Sequence, residues 1–195
     1  MRILIADDEA IIRLGLKATL EAMGHEVVGV AADGLSAVEF ARTAHPDLVI
    51  LDIKMPGIDG LEAAEAISRE RPVPIVILTA YSSRDLVERA AGLPVHAYLV
   101  KPIRPVELGP ALEIAISRFR EEQALRQEAA DLQEALRSRD IVQQAKRRLM
   151  EVHGLGEEEA LRWLRARARR ERRSMREVSE DVLKGLPPFD NTPSA

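Results

Sequence analysis

The first 118 residues of this 195-residue chain alternate between short apolar runs and longer amphipathic segments. In the longer segments apolar residues recur every three or four positions, which is the periodicity of a helix. Continuous apolar runs joined by helical segments are typical of parallel strands that are buried on both faces of a sheet. The pattern predicts strands at residues 2–6, 26–30, 47–51, 74–78 and 96–100, and helices at 10–22, 34–43, 60–70, 84–91 and from 105 onward.

The helix that begins near residue 105 has no stop signal until about Val152, because its only glycine and its only further proline, Gly109 and Pro110, lie in its first turns. A flexible linker would be rich in Gly, Ser or Pro, so a stiff helical connector is predicted instead. Four apolar residues recur at alternating spacings of four and three, as in the seam of a coiled coil: Leu125, Ala129, Leu132 and Leu136. A single amphipathic helix that packs back onto its own chain would explain the same short pattern.

Beyond about residue 136 the pattern resolves into three short helices. The first ends at the Gly-Leu-Gly sequence of residues 154–156, and the second begins with three glutamates at 157–159, which complement the helix dipole. The third follows Ser174 and Glu177, at the spacing of a capping box, and ends at Pro187-Pro188. The apolar stripes of the three helices are Ile141, Val142, Ala145, Leu149 and Val152, then Ala160, Leu161, Leu164 and Ala168, then Met175, Val178, Val182 and Leu186.

The predicted fold class is α/β, with a doubly wound five-stranded parallel sheet followed by the helical coiled-coil connector and a small three-helix bundle. The sheet unit spans residues 1–118, the connector 119–136 and the bundle 137–188, and residues 189–195 are expected to be a disordered tail. A bundle of this size buries little apolar surface alone, so we expect it to lean on the connector or on a second subunit.

The net charge of −4 conceals an uneven distribution along the chain. Residues 1–118 carry 12 Lys and Arg against 17 Asp and Glu, whereas residues 137–176 carry 13 against 6. A compact basic segment beside an acidic unit indicates a polyanionic partner. The absence of cysteine excludes disulfides and thiolate-bound zinc. There is neither a run of ~18 apolar residues nor a signal-peptide pattern, so we expect a cytoplasmic protein without a membrane partner.

Polar side chains that carry chemistry stand at the carboxyl ends of four of the predicted strands. Asp7 and Asp8 follow the first strand, Asp52 the third, Thr79 the fourth and Lys101 the fifth. Functional groups of parallel sheets gather at this edge, so these side chains are expected to share one pocket. Three crowded carboxylates repel one another unless a cation neutralises them, and hard oxygen ligands favour Mg²⁺. The sequence therefore predicts a magnesium site at Asp7, Asp8 and Asp52.

Asp52 stands alone on its strand, whereas the other two carboxylates are neighbours, so Asp52 is the predicted nucleophile. An aspartate that attacks a phosphoryl group forms an acyl phosphate, and the transferred oxygens need positive charge, which Lys101 and Mg²⁺ supply. The Thr79 hydroxyl can swing to hydrogen-bond the new phosphoryl oxygen, and Tyr98 can follow that movement. As an alternative, one of the two neighbouring aspartates would serve as the N-cap of the helix that begins near Ala10.

Residues 1–118 resemble the receiver domain of two-component response regulators. The resemblance rests on motifs in the family's order and spacing: Asp7-Asp8, Asp52 with Met55-Pro56-Gly57, Asp59-Gly60, Thr79-Ala80 and Lys101-Pro102. It implies that Asp52 is the phosphoacceptor, that Asp8 and Asp52 bind Mg²⁺ together with the Lys54 backbone carbonyl, that the Lys101-Pro102 peptide is cis, and that Tyr98 is the switch aromatic residue. It also implies a sensor histidine kinase as the phosphodonor.

A row of arginines runs along the second of the three short helices. Arg162, Arg165 and Arg169 recur at spacings of three and four, which places them on one helix face. Guanidinium groups on one surface hold phosphates and make binding strongly salt-dependent. The candidate RNA contacts are Arg139, Lys146, Arg147, Arg148, Arg162, Arg165, Arg169, Arg173 and Arg176. A solvated face would show the same arginine row, and Trp163 beside it suits either a stacked RNA base or a core position.

This basic segment resembles the ANTAR domain, a three-helix RNA-binding output module of transcription antitermination regulators. The matching residues are Arg139, Val142, Ala145-Lys146, Leu149-Met150, Gly154, Ala160, Leu164, Ala168, Met175 and Val178. Two positions depart from the family, since Arg147 replaces the usual glycine and Ser179 replaces a small apolar residue. The resemblance implies a regulator that binds a paired hairpin in nascent RNA, prevents terminator formation, and forms a homodimer at least when it is phosphorylated.

Two other output functions stay open on the sequence. A DNA-binding response regulator with a helix-turn-helix output, acting as a transcription factor, would also have three helices and a basic face, although its arginines would concentrate on one recognition helix. An enzymatic or protein-binding output is the second alternative. Residues 119–195 contain no His-Glu-x-x-His motif, no phosphate-binding glycine loop and no nucleophile elbow, so we expect a self-phosphorylating receiver without a separate enzymatic output.

Overall fold

The computed structural model describes residues 1–80 and 92–185. The chain divides into two units between Ala124 and Leu125. The predicted helix at residues 84–91, Leu186 of the third apolar stripe, the Pro187-Pro188 stop and the tail at 189–195 lie outside the described residues.

The first unit is built on a five-stranded sheet of β1 (Arg2–Ala6), β2 (Glu26–Ala31), β3 (Leu48–Asp52), β4 (Ile75–Thr79) and β5 (Ala97–Val100). The strand order is β2-β1-β3-β4-β5, and all neighbouring strands are parallel. The described helices of this unit are α1 (Ala10–Ala22), α2 (Gly34–Ala44), α3 (Gly60–Glu70) and the first part of α4 (Pro105–His153). The predicted doubly wound α/β fold is confirmed.

Alternate side chains of the strands enter two apolar cores, one on each face of the sheet. Leu4, Val49 and Ile75 contribute to the core that is shared with α2 and α3. Ile3 and Ile50 contribute to the core that is shared with α1 and α4. All five side chains are fully buried, because helices cover both faces of the sheet. The continuous apolar runs of the sequence reflect this burial on two sides.

The register of the sheet brings the carboxyl ends of its central strands to one level. Ala6 of β1 lies beside Leu51 of β3, so the residues that follow them are also neighbours. Asp52 pairs with Leu78 of β4, and the next residue of β4, Thr79, pairs with Val100 of β5. β3 and β4 each extend one residue beyond the predicted end, because Ile53 N–H donates to the Leu78 carbonyl at 3.2 Å and Lys101 N–H to the Thr79 carbonyl at 2.8 Å.

The buried imidazole of His96 fastens α4 to the opposite, amino-terminal edge of the sheet. The Ile75 N–H donates to His96 Nδ1 at 3.0 Å, so Nδ1 is an acceptor and the ring proton lies on Nε2. Nε2 is 3.2 Å from Glu122 Oε2 on α4, and the Phe119 ring meets the imidazole edge to face. These contacts hold the fourth and fifth turns of α4 against the first unit.

The second unit contains the rest of α4 together with α5 (Glu157–Glu171) and α6 (Met175–Leu183). Its core contains apolar residues from all three helices: Ala145, Leu149, Ala160, Leu164, Ala168, Val178 and Val182. The first predicted short helix is not separate, because nothing in the sequence interrupts α4 before Gly154, whose φ is +66°. Val152 does not join the core as the pattern predicted, since it is 53% exposed near the end of α4. Ser174 caps α6 in the predicted capping box with Glu177.

The predicted connector is helical over its whole length, as part of α4. Leu125, Leu132 and Leu136 of its seam are 67, 62 and 54% exposed in the described part of the chain. The coiled-coil seam stays a prediction, and so does the alternative of a helix that packs back onto its own chain. Within the same residues, no helix has the length and apolar character needed to cross a membrane.

The hydroxyl group of Ser179 is buried in the core of the second unit. Ser179 is 0% exposed, and its Oγ has no hydrogen-bond partner among the described residues. A buried hydroxyl without a partner loses its hydration and gains nothing in return. We expect Ser179→Ala to raise the free energy of unfolding of this unit by about 1 kcal/mol. Urea titration monitored through the fluorescence of Trp163 would measure it, and an equal or lower midpoint would show that the hydroxyl is satisfied.

Candidate functional site

Three aspartates meet where β1 and β3 end. Asp7 follows β1 directly and Asp52 is the last residue of β3, and these strands are neighbours in the sheet. Each of Asp7, Asp8 and Asp52 places one carboxylate oxygen within 4.8 Å of the others. Asp7 and Asp52 are buried, whereas Asp8 is exposed to solvent. The structure thus brings together the three carboxylates that the sequence proposed for a cation.

Lys101 enters the same cluster from the end of β5. Its Nζ lies 2.8 Å from Asp7 Oδ2, 2.9 Å from Asp52 Oδ1 and 3.4 Å from Glu9 Oε1. Burial is the largest single influence and lowers the pKa of Lys101, but the hydrogen bonds and the charges of Asp7 and Asp52 together leave its pKa above the ordinary value. The ammonium group is therefore charged and bridges two strands of the sheet.

The surroundings of Asp52 disfavour the charged form of its carboxylate. Burial is the main cause that raises its pKa above the ordinary value of an aspartate, and the charges of Asp7 and Asp8 raise it further. The hydrogen bond and the charge of Lys101 act in the opposite direction but do not cancel these effects. One ammonium group facing three carboxylates leaves two negative charges in excess, so a divalent cation would complete the neutralisation.

The donor set of this cluster fits Mg²⁺. Asp7 Oδ2 is fully buried, and its one close polar contact among the described residues is the Lys101 ammonium group at 2.8 Å. A buried carboxylate oxygen in this state is expected to have a further positive partner. Oxygen ligands from Asp7, Asp8 and Asp52 suit a hard divalent ion, which would supply positive charge to the oxygens of a transferring phosphoryl group.

Mg²⁺ is expected to stabilise the first unit. A cation that binds only the folded state at ten times its dissociation constant adds about 1.4 kcal/mol to the free energy of unfolding. The melting temperature in excess Mg²⁺ should therefore rise by a few degrees over that in EDTA. Asp8→Ala should remove most of this rise, whereas Asp140→Ala on α4 should keep it. An equal rise in the wild-type protein and Asp8→Ala would show that these carboxylates do not hold the ion.

A glycine lets α3 approach the end of the strand that carries Asp52. Gly60 opens α3 against the end of β3, and its N–H donates to the Ile53 carbonyl at 2.9 Å. A Cβ at this position would collide with the Asp52 carbonyl oxygen, so only glycine permits this approach. Asp59 caps α3 through hydrogen bonds from the N–H groups of Leu61 and Glu62. The first turn of α3 therefore packs directly behind the candidate phosphoacceptor.

Neither Asp7 nor Asp8 caps α1, so the alternative reading of these aspartates is wrong. The N-cap of α1 is Glu9, and no side chain makes a capping hydrogen bond there. Asp7 Oδ1 accepts a hydrogen bond from the Glu9 N–H at 2.9 Å, which orients the carboxylate without capping the helix.

Two residues of this site were missed in the sequence. Glu9 lies 3.4 Å from the Lys101 ammonium group. Arg13 donates from one guanidinium nitrogen to the carbonyls of Asp7 at 2.6 Å and Asp8 at 2.9 Å, and so holds the backbone between the two acidic residues. A positive charge near the N-terminus of a helix opposes the helix dipole, and this was the available signal that Arg13 has a nearby partner.

The other candidate receiver residues are arranged around the cluster. Thr79 ends β4 and is 6% exposed, and Tyr98 in β5 is 38% exposed. Partial burial raises the pKa of Tyr98. Lys54 lies in the loop between β3 and α3, and its carbonyl as a metal ligand stays a prediction. The Lys101-Pro102 peptide is cis, as the resemblance implies.

Six of the nine candidate RNA contacts are exposed on the second unit and form no close ion pair in the described part of the chain: Arg139, Arg147, Arg148, Arg162, Arg165 and Arg169. Arg162 has a distant carboxylate neighbour, with Glu158 Oε2 at 3.7 Å. No ion pair to a carboxylate within the described ranges holds the other five. Arg147, which departs from the family pattern, is therefore directed away from the core and does not crowd the helix packing.

Three candidate contacts are already neutralised by carboxylates. The ion pairs are Lys146 with Glu157, Arg173 with Glu171 and Asp181, and Arg176 with Glu134 and Glu180. Lys146 is 9% exposed, and Arg173 and Arg176 are partly covered. Trp163 packs against the core, with the Arg167 guanidinium 5.2 Å from its ring centroid. The core position proposed for Trp163 thus describes it better than an open stacking platform.

Comparison with known proteins gives matches to two family models. Residues 3–113 match the response regulator receiver domain, and residues 130–183 match the ANTAR domain. Chemotaxis protein CheY4 of Vibrio cholerae has a solved structure that is similar to the first unit. It is 32% identical with a TM-score of 0.55, over 57% of this chain and 95% of that one.

Two relatives differ in how much of the chain they share. Probable transcriptional regulator ycf27 of Galdieria sulphuraria is 42% identical over 119 residues, which are 60% of this chain and 46% of that protein. Transcriptional regulatory protein PdtaR of Mycobacterium tuberculosis is 50% identical over 185 residues, which are 95% of this chain and 90% of that protein. A receiver domain implies a phosphodonor such as a histidine kinase. The chain belongs to the response regulators in which a receiver domain is followed by an ANTAR domain.

Proposed function

We propose that this response regulator is a transcription antiterminator, which binds hairpin RNA under the control of phosphorylation at Asp52. The observation that carries the RNA function is the group of exposed arginines on α4 and α5 that have no carboxylate partner in the described chain. The match to the ANTAR domain supports the same function, and the relative PdtaR is named a transcriptional regulatory protein.

The chemistry proposed for the receiver is transfer of a phosphoryl group from a sensor histidine kinase to Asp52. A carboxylate oxygen of Asp52 attacks the phosphorus, the phosphorus–nitrogen bond of the donor breaks, and its electron pair returns to the donor imidazole. Lys101 already lies 2.9 Å from Asp52 and can follow the charge onto the phosphoryl oxygens. Asp7, Asp8 and Asp52 would hold Mg²⁺, with the Lys54 carbonyl as a further ligand.

Thr79 and Tyr98 are the proposed switch residues. Thr79 ends β4, which neighbours the strand that ends in Asp52, and Tyr98 lies on β5, on the other side of β4. A phosphoryl group on Asp52 adds oxygen acceptors at the level of Thr79, and the Thr79 hydroxyl can donate a hydrogen bond to one of them. Tyr98 is 38% exposed and has room to change its rotamer in response. A local change of charge would thereby become a rearrangement of the surface around β5.

A homodimer is the proposed RNA-binding form. Leu125, Leu132 and Leu136 form an exposed apolar row at heptad spacing, which is typical of a coiled-coil seam that pairs with a second copy. A dimer presents two basic surfaces to the two loops of a paired hairpin, and two weak contacts made together give a higher overall affinity through effective concentration.

The test of this function is RNA binding and molecular mass, measured together with and without beryllofluoride, which mimics the acyl phosphate. We expect paired hairpin RNA to be retarded in gel shifts at physiological salt, with tighter binding and a dimeric mass when beryllofluoride is present. Duplex DNA of equal length is the matched competitor. Preference for the duplex would favour the DNA-binding transcription factor, and capture of a protein partner without RNA would favour a scaffold. We propose no separate enzymatic output.

A further inference from the structure

Lys146 forms an unusual ion pair within the second unit. It is 9% exposed, and its Nζ lies 2.5 Å from Glu157 Oε1, whose side chain is 69% exposed. Lys146 stands on α4 between the core residues Ala145 and Leu149, and Glu157 is the first residue of α5. The pair therefore joins the two helices on which the exposed arginines lie.

We infer that Lys146 is a positioning residue, which sets the angle between α4 and α5 for RNA binding through Glu157, and that it does not itself contact phosphate. The inference rests on the proposed RNA function. It reverses the expectation drawn from the sequence, in which Lys146 was grouped with Arg147 and Arg148 as a phosphate contact.

The burial of Lys146 favours this role. Lys146 is 9% exposed and its ammonium group is held by Glu157, so this group cannot extend to a ligand in solvent without breaking the pair. Its neighbours Arg147 and Arg148 are exposed and have no such restriction. The hydrogen bond from Lys146 also lowers the pKa of Glu157, so the carboxylate stays charged at neutral pH.

The turn between the helices explains why a fixed pair is needed. Residues 154–156 connect α4 to α5, and Gly154 has a φ of +66° with its N–H bonded to the Met150 carbonyl at 2.9 Å. Two glycines in a three-residue turn give the backbone wide freedom. The angle between the helices sets the separation of Arg147 and Arg148 on α4 from Arg165 and Arg169 on α5. An ion pair across the turn selects one angle, and with it one spacing of positive charge.

Loss of the Glu157 charge is expected to change RNA binding in the direction opposite to that predicted from charge alone. Removing a negative charge from a surface that binds a polyanion should strengthen binding. Glu157→Gln is nevertheless expected to weaken hairpin binding about fivefold, because it weakens the coupling of the two helices. Glu158→Gln removes the same charge one residue later, where the side chain is 91% exposed, and should leave binding equal or tighter.

The charge-reversed pair distinguishes positioning from contact. Lys146→Glu should lose RNA binding, and Lys146→Glu combined with Glu157→Lys should restore it to within about threefold of wild type, since an ion pair of opposite polarity joins the same helices. Lys146→Met keeps a side chain of similar length without the charge, and it replaces Lys146→Glu as the single variant if Lys146→Glu does not fold. A protein in which Lys146 contacts phosphate would not be rescued by the reversed pair.

A second measurement needs no RNA. The chain has no cysteine, so spin labels can be placed at Gln144→Cys on α4 and Ala166→Cys on α5 of the full-length protein. Double electron–electron resonance should give one narrow distribution of the distance between the two spin labels in the otherwise wild-type chain. The distribution should be broader with Glu157→Gln and narrow again with the reversed pair. Unchanged widths in Glu157→Gln would overturn the inference. If the distance distributions change as expected but the wild-type protein binds no hairpin RNA, the proposed RNA function is refuted and the positioning role of Lys146 is not.

Discussion

Asp52→Asn is expected to reduce phosphorylation by acetyl phosphate to background. In this reaction a carboxylate oxygen of Asp52 attacks phosphorus, the bond from phosphorus to the acetyl oxygen breaks, and acetate leaves. The amide of asparagine has no anionic oxygen to donate, although it fits the same space beside Lys101 at the end of β3. The measurement is incorporation of radiolabelled phosphate, followed by alkaline hydrolysis, which cleaves an acyl phosphate.

Two further variants separate the nucleophile from its surroundings. Asp140→Asn changes an exposed carboxylate of α4 and should label as fast as wild type. Asp8→Asn leaves Asp52 in place but weakens the proposed metal site, so its labelling should be slow at low Mg²⁺ and recover at high Mg²⁺. Stable label on Asp52→Asn would mean that another residue accepts the phosphoryl group. The proposed control of RNA binding by phosphorylation at Asp52 would then be wrong.

The acidic cluster was accessible to prediction because parallel strands impose a simple geometry. Apolar runs located the strands, and strands in one parallel sheet end at one edge, so residues following them in sequence meet in space. Asp7, Asp8, Asp52 and Lys101 were grouped on this ground alone, and the register of β1 with β3 brings the carboxylates within reach of one ion. The backbone supplied the proximity, so no knowledge of side-chain packing was needed.

The contacts of long polar side chains could not be predicted in the same way. Arg13 reaches back to the carbonyls of Asp7 and Asp8, and nothing in a periodic pattern specifies where a flexible guanidinium ends. Lys146 was assigned to the surface with its basic neighbours, whereas the structure buries it against Glu157. Helical periodicity gives the direction of each side chain from its own axis, but the position of the next helix decides which directions are covered.

Replacing Arg165 and Arg169 by alanine is expected to weaken hairpin RNA binding at least about tenfold and to flatten its salt dependence. The two residues are one turn apart on the exposed face of α5, and no carboxylate of the described chain forms an ion pair with them. Each guanidinium that neutralises a phosphate releases counterions, which changes the slope of log K against log salt by about 0.7 to 0.9. Loss of both contacts should therefore flatten the slope by about 1.4 to 1.8.

The slope of log K against log salt distinguishes the models better than the affinity does. It scales with the number of phosphates that the protein neutralises, and a small loss of shape complementarity does not change it. Arg42→Ala with Arg69→Ala is the matched control, since it removes the same charge from the first unit, where both arginines pair with glutamates on their own helices. This control should keep the wild-type slope. A reduced affinity with an unchanged slope in the α5 variant would mean that Arg165 and Arg169 are solvated surface and that the phosphates lie elsewhere, with Arg147 and Arg148 on α4 as the next pair to replace.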